Sequence, residues 1–155
     1  MPAPPPLSPA RVRRAAARDL PAVTALDARA YASEGYGPFV VRQLWDLSPE
    51  TFLVAEGDAG LLGYCAAARA TDGSGWILSL ATDPGARGQG VGRALTVAAI
   101  AALRAFAPRD VRLTVAPGNV AARRLYASLG FVAAGLEPDY YGPGADRLVM
   151  VRAQP

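Results

Sequence analysis

Ser79-Leu80-Ala81-Thr82-Asp83-Pro84-Gly85-Ala86-Arg87-Gly88-Gln89-Gly90-Val91-Gly92-Arg93 decides the fold. An apolar strand runs into a glycine-rich turn, and the turn runs straight into an apolar helix. Gly88, Gly90 and Gly92 leave the backbone bare where that helix begins. The first N–H groups of a helix have no partner within it and carry a partial positive charge. Bare backbone at such a point can cradle a phosphate or pyrophosphate. Residues 82–93 are therefore the first candidate ligand site.

Downstream, the pattern predicts a helix from about Gly90 to Phe106, ended by Pro108, and a strand over Val111–Val115. A strand, a crossover helix and a strand form a parallel pair. Ala122, Leu125, Tyr126 and Leu129 share one face of a further helix, which Asn119 caps and Gly130 ends. Phe131–Leu136 and Leu148–Arg152 are the final strands. Upstream, a strand is expected at about Ala10–Ala15. A helix capped by Asp19 follows, with Leu20, Val23, Leu26, Ala30 and Tyr31 at helical spacing. A turn-rich loop at 33–38 leads to a short helix, Phe39–Leu47. Strands at Thr51–Glu56, Leu61–Ala70 and Trp76–Thr82, joined by tight turns, form an antiparallel meander.

The predicted order is βααβββαβαββ. This is an α/β protein with a mixed, mostly antiparallel sheet, flanked by helices, in which strands 76–82 and 111–115 are the one parallel pair. A single domain is expected over residues 10–152, after a flexible proline-rich lead-in at 1–9. Ligands of such sheets favour the carboxyl ends of parallel strands. The glycine turn lies at one such end and residues 116–119 at the other.

Composition narrows the chemistry. The 155 residues are 52% apolar, enough for a globular core. No apolar run approaches the ~18 residues of a membrane span. Arg11, Arg13 and Arg14 are not followed by the apolar stretch of a secretory signal, so the cytoplasm is the expected compartment. Cys65 is the single cysteine, which excludes an internal disulfide and a CxxC site. The absence of histidine excludes His-based triads, imidazole bases and His metal ligands, and no metal is expected. All 16 basic residues are arginine, which excludes Schiff-base chemistry and a Walker-type lysine. A net charge of +3 suits an anionic ligand without signalling nucleic acid. The G-x-G-x-x-G dinucleotide fingerprint also fails on spacing.

Arg87-Gly88-Gln89-Gly90-Val91-Gly92 has the form [QR]-x-x-G-x-[GA], and resembles motif A of the GCN5-related N-acetyltransferases (GNAT). Asn119-Val120-Ala121-Ala122-Arg123-Arg124-Leu125-Tyr126-Ala127-Ser128-Leu129-Gly130-Phe131 is similar to that family's N-x-x-A-x-x-L-Y-x-x-L-G-F motif. The segment from Asp139-Tyr140-Tyr141 to Met150 looks like the end of the branch that acetylates ribosomal-protein and other protein N-termini. The resemblance covers about residues 10–152.

The resemblance implies an acetyl-CoA-dependent N-acetyltransferase. A primary amine, of a small molecule or a peptide N-terminus, would attack the thioester directly in a ternary complex. Arg87, Gly88, Gln89, Gly90, Val91, Gly92 and Arg93 would hold the pyrophosphate, a Cβ at 90 or 92 standing against the phosphates. Leu80, Ala81 and Thr82 would offer backbone to the pantetheine arm, and the N–H of residue 81 or 82 would polarise the carbonyl. Asn119 would serve the arm as well as cap its helix. Tyr126, which also fits core packing, would contact the cofactor and protonate the departing thiolate as general acid. Relatives tend to carry Glu or His where this chain has Thr114. The base is then water or a loop carboxylate, Glu34, Glu137 or Asp139, with Glu34 the candidate. Tyr36, Tyr140 and Tyr141 would wall the acceptor pocket. Cys65 reads as a small core residue. The alternative function is a non-catalytic acyl-CoA-binding sensor. The implied partners are acetyl-CoA and an amine, without nucleic acid or membrane, and with homodimerisation through sheet edges.

Overall fold

The computed structural model describes residues 9–154, so the predicted flexible lead-in lies outside the described residues except for Pro9. The strands are β1 (Arg11–Arg14), β2 (Phe52–Gly57), β3 (Gly60–Arg69), β4 (Gly75–Thr82), β5 (Asp110–Val115), β6 (Val132–Glu137) and β7 (Arg147–Ala153). The α-helices are α1 (Leu20–Tyr31), α2 (Pro38–Leu47), α3 (Val91–Leu103) and α4 (Val120–Ser128). The expected order βααβββαβαββ is the observed one. The helix expected to reach Phe106 leaves α geometry after Leu103 and closes through a 3-10 turn, Arg104–Phe106.

The strands form one seven-stranded sheet in the order β1-β2-β3-β4-β5-β7-β6. Strands β1 to β4 are antiparallel neighbours. β4 and β5 are the parallel pair. β7 inserts between β5 and β6, antiparallel to both, and leaves β6 at the sheet edge.

Alternation along the strands sorts the core into two layers. Phe52, Val54, Tyr64, Ala66 and Ala81 face α1 and α2, where Leu20, Val23, Leu26 and Val41 meet them. Leu53, Ala55, Cys65, Ala67 and Ile77 face the other way, against Leu95, Ala99 and Leu103 of α3 and Tyr126 of α4. Each fully buried aliphatic side chain in these layers contributes roughly 1.5–3 kcal/mol.

Asp19 immediately precedes α1, as expected, but its carboxylate does not cap that helix. It accepts two hydrogen bonds from the Arg13 guanidinium, at 2.7 and 3.0 Å, and one from the Ala16 N–H. The cation on β1 outcompetes the helix end for the same oxygens. Arg13 also holds the Asp19 carboxyl below the usual carboxylate range. Its stabilising contribution is present above that range and is lost as pH falls through the lowered value.

α3 approaches the sheet over Gly63. A Cβ there would stand 2.7 Å from the Ala81 carbonyl oxygen and 2.9 Å from Leu95 Cδ1. The glycine thus sets the spacing between the helix that starts at the ligand turn and the strand leading into it. Gly63→Ala should destabilise by about 1–3 kcal/mol, the usual cost of overpacking, read as a lower thermal unfolding midpoint. An unchanged midpoint would show that α3 shifts freely.

Candidate active site

The turn between β4 and α3 is fixed by its own side chains. Asp83 Oδ1 accepts the Gly85 N–H at 3.0 Å, while Oδ2 pairs with Arg29 Nη2 of α1 at 2.8 Å. Ala86 is buried beneath the turn. Gly88 and Gly90 have φ of 75° and 82°, the left-handed region that favours glycine. A Cβ at either would meet nothing within 4 Å, so the turn stands open. Gly90 is the N-cap of α3 and supplies no side-chain cap. The first turn of α3 is thus an uncapped, bare cluster of N–H groups suited to an anion. A Cβ at Gly92 would make only ordinary contacts, 3.5 Å from Leu125 and 3.6 Å from Thr82 Oγ1, so packing does not require glycine there.

The other ligand-turn residues divide. Arg87 and Gln89 are exposed beside the cradle, with Gln89 Nε2 donating to Gly85 O at 3.3 Å. Arg93 donates to Ser128 Oγ at 2.8 Å and ties α3 to α4. Asn119 Oδ1 accepts the Ala122 N–H at 3.2 Å, the expected helix cap.

Beside the turn, the sheet opens. β4 and β5 pair only at Gly75–Val111 and Trp76–Arg112, although both strands continue. The register of β3 against β4 skips Leu78, a bulge at the point where β5 leaves. The Asp83 N–H bonds Leu62 of β3. By alternation Ala81 also faces β3, whereas Leu80 and Thr82 present their N–H and C=O groups to the gap. Of the backbone groups expected to contact an acyl arm, those of Leu80 and Thr82 therefore face the gap, with the Leu80 carbonyl already accepting the Tyr31 hydroxyl.

Tyrosines surround the gap. The Tyr31 hydroxyl donates to Leu80 O, and the Tyr36 hydroxyl donates to Leu78 O at 3.3 Å. Burial pushes the Tyr31 phenol up to about 12, aided by Asp27. Tyr126 is buried, edge-on to Phe131 with ring centroids 5.8 Å apart. Among the described residues its hydroxyl has no hydrogen-bond partner. Burial raises its pKa above the ordinary tyrosine value, with Cys65 and Tyr31 adding to the rise. A phenol kept neutral in this way can give a proton to a thiolate of pKa ~8.5. Cys65 is fully buried and burial pushes its thiol up to about 12, so it stays a core thiol and not a nucleophile.

The outer mouth of the gap lies between the α1–α2 loop and the β6–β7 loop. Tyr141 OH is 3.4 Å from Thr114 Oγ1, and Arg147 stacks on the Tyr141 ring at 5.0 Å. Tyr140 packs edge-on against Tyr141. Asp139 and Asp146 shape their own loop: Asp139 Oδ1 accepts the Gly144 N–H and Asp146 Oδ1 accepts the Asp139 N–H. Glu34, on the 3-10 turn after α1, is exposed, as is Glu137 on β6. The structure thus gathers Leu80, Thr82, Tyr36 and Tyr126 around the gap and Tyr141 at its mouth. It leaves Glu34 on the surface. Sequence reasoning misses Tyr31 and Asp27 as site residues. Asp27 could have been found as a carboxylate inside the apolar stripe Leu20, Val23, Ala30.

The family model described as Acetyltransferase (GNAT) family matches residues 20–131. The chain belongs to the GNAT acetyltransferase family. As a member it is an N-acetyltransferase with acetyl-CoA as co-substrate. An N-acetyltransferase of Methanocaldococcus jannaschii is 32% identical over 145 residues, covering 93% of this chain and 92% of that one. Mycothiol acetyltransferase of Thermobispora bispora is 39% identical over 74% of this chain, which spans only 43% of that protein. Among solved structures, Ard1 of Thermoplasma volcanium superposes with a TM-score of 0.85 at 27% identity, over 94% of this chain and 98% of that one. Naa20 of Chaetomium thermophilum, solved with a bisubstrate analogue, gives a TM-score of 0.79 at 28% identity, over 93% and 86%. The parted parallel strands, the mixed sheet and its flanking helices are thus those of a GNAT enzyme. Among the described residues no acidic, His or Cys cluster could hold a metal, and no helix is long and apolar enough to cross a membrane.

Two variants separate binding from chemistry. Gly90→Glu places a negative charge and a left-handed Cβ at the anion cradle. It should weaken acetyl-CoA binding by at least about 30-fold, roughly 2 kcal/mol, measured by calorimetry. Tyr126→Phe should leave acetyl-CoA affinity nearly unchanged while lowering turnover by about 10²-fold, the scale of lost general-acid catalysis. Full activity in Tyr126→Phe would remove the phenol from the reaction.

Proposed function

We propose that the enzyme acetylates the α-amine of a peptide or protein N-terminus. The pyrophosphate of acetyl-CoA lies on the bare first turn of α3, and the pantetheine arm enters the β4–β5 gap against Leu80 and Thr82. A backbone N–H facing the gap polarises the thioester carbonyl. The amine enters between the two loops, attacks the carbonyl carbon, and Tyr126 protonates the departing sulfur.

The observation that carries this reading is the mouth of the gap. Tyr36 and Tyr141, one from each loop, stand beside its two strands, tied to Leu78 O and Thr114 Oγ1. The carboxylates of the β6–β7 loop are engaged in the loop, and Glu34 is exposed. Such an entrance offers hydroxyl groups, with the Arg147 guanidinium stacked on Tyr141, and suits peptide backbone carbonyls. Among the described residues it has no strong base, so it favours an amine with an appreciable neutral fraction near neutrality. An α-amine of pKa ~8 satisfies this, whereas a lysine of ~10.4 does not. Water takes up the proton. The likeness to Naa20, solved with a bisubstrate analogue, supports donor and acceptor meeting in one cleft. A small-molecule amine is the second reading, favoured by the identity to mycothiol acetyltransferase. β6, exposed along its length, is the sheet edge through which two copies would pair.

Acceptor profiling with acetyl-CoA, by thiol release across small amines and peptides with different first residues, should show peptide α-amines turned over fastest. Exclusive turnover of small amines would establish the second reading. The pH profile follows from the same groups. Only the neutral amine attacks, so kcat/KM should rise about tenfold per pH unit below the amine's own pKa of ~8 and level above it. Because burial raises the Tyr126 pKa, no loss of general acid is expected below pH ~10, the ordinary tyrosine value. A rising limb centred in the carboxylate range would instead reveal an acidic base.

A further inference from the structure

Asp27 lies on the buried face of α1 and is 0% exposed. A carboxylate taken out of water costs several kcal/mol unless its oxygens are satisfied. Among the described residues no arginine pairs with it. Its Oδ1 accepts the Tyr64 hydroxyl at 2.6 Å, and its Oδ2 accepts the backbone N–H of Tyr36. The Tyr64 hydroxyl lies 2.8 Å from Ser79 Oγ, next to the Leu78 bulge of β4. One carboxylate therefore joins the loop that carries Tyr36 to the strand that lines the gap.

Gly35 shows how tight the junction is. Its backbone has φ −71° and ψ 160°, which any residue adopts. A Cβ there would nevertheless stand 2.6 Å from Asp27 Oδ2 and 3.2 Å from Asp27 O. Glycine is required here by the approach of the loop to the carboxylate and not by backbone conformation.

We infer that Asp27 is a positioning residue for the acceptor: it clamps the α1–α2 loop through the Tyr36 N–H and, through Tyr64 and Ser79, sets that loop against the bulge of β4. Both oxygens are occupied and the group is buried, so it acts on the amine only through Tyr36. An amide can replace the carboxylate in this role. In Asp27→Asn the amide oxygen would accept the Tyr36 N–H and the NH2 would donate to the Tyr64 oxygen, the Tyr64 proton turning to Ser79. A proton acceptor could not be replaced in this way. The inference rests on the reading that this cleft admits the acceptor amine.

The test compares wild type, Asp27→Asn, Asp27→Ala and Gly35→Ala, using the amine or peptide of the profiling panel that wild type turns over fastest. Gly35→Ala and Asp27→Ala should raise acceptor KM by about tenfold or more, the worth of a hydrogen bond to a charged group. Acetyl-CoA affinity by calorimetry should stay unchanged, and amide exchange over residues 32–37 should accelerate. Asp27→Asn should keep kcat and acceptor KM close to wild type. Asp27→Asn as inactive as Asp27→Ala, with an altered pH profile, would make Asp27 a proton acceptor and overturn the positioning role. If Asp27→Ala does not fold, Gly35→Ala decides, since its backbone is unstrained. Normal acceptor KM and normal exchange in Gly35→Ala overturn the inference and leave the transfer reaction standing. A wild type that releases no thiol with any amine overturns the reaction itself.

Discussion

The structure depends on two parallel strands that begin paired and then part. β4 and β5 share rungs at Gly75 and Trp76 and none beyond. A buried strand that loses its ladder leaves N–H and C=O groups whose desolvation costs about 1–3 kcal/mol each unless another partner arrives. The Leu78 bulge turns β4 away, and α3, seated over Gly63, holds its far end. Phenols from α1 and from the loop after it take two of the freed carbonyls. The opening is thus a maintained feature, supported from both faces of the sheet.

The two faces divide the work. On one, α3 and α4 pack the apolar layer, and α3 presents an uncapped N-terminus suited to an anion. Tyr126 belongs to this layer, which keeps its phenol neutral. On the other face lies the polar set: Asp27 and Tyr31 of α1, Tyr36 of the loop after it, Tyr64 of β3 and Ser79 of β4. On the proposed reading, the acyl donor and the amine approach one gap from opposite sides of the sheet.

Much of this was legible in the sequence because periodicity and glycine spacing are local signals. The strand–turn–helix at 79–93, the meander before it and the capped helix at 119–130 each announce themselves within a dozen residues. The insertion of β7 between β5 and β6 does not, because strand order is fixed by long-range packing that no local pattern carries. The Asp19 cap fails for a similar reason: Arg13 reaches its carboxylate from another element. Glu34 is a candidate by loop position alone, and its side chain faces solvent. Asp27 breaks the apolar stripe of its helix, a signal of a buried polar function, yet its partner Tyr64 lies 37 positions away and becomes visible only in three dimensions.

The tyrosine hydroxyls on Leu78 O and Leu80 O also bear on the energetics of cofactor binding. Where a pantetheine amide takes over a carbonyl that a phenol already satisfies, one hydrogen bond replaces another, and the net gain at that rung is small. With the pyrophosphate on α3 as proposed, affinity would rest more on that contact, a part that acetyl-CoA and free CoA have in common. An enzyme built in this way would hold its spent cofactor almost as well as its fresh one. Its throughput in the cell would follow the ratio of the two more than the concentration of either.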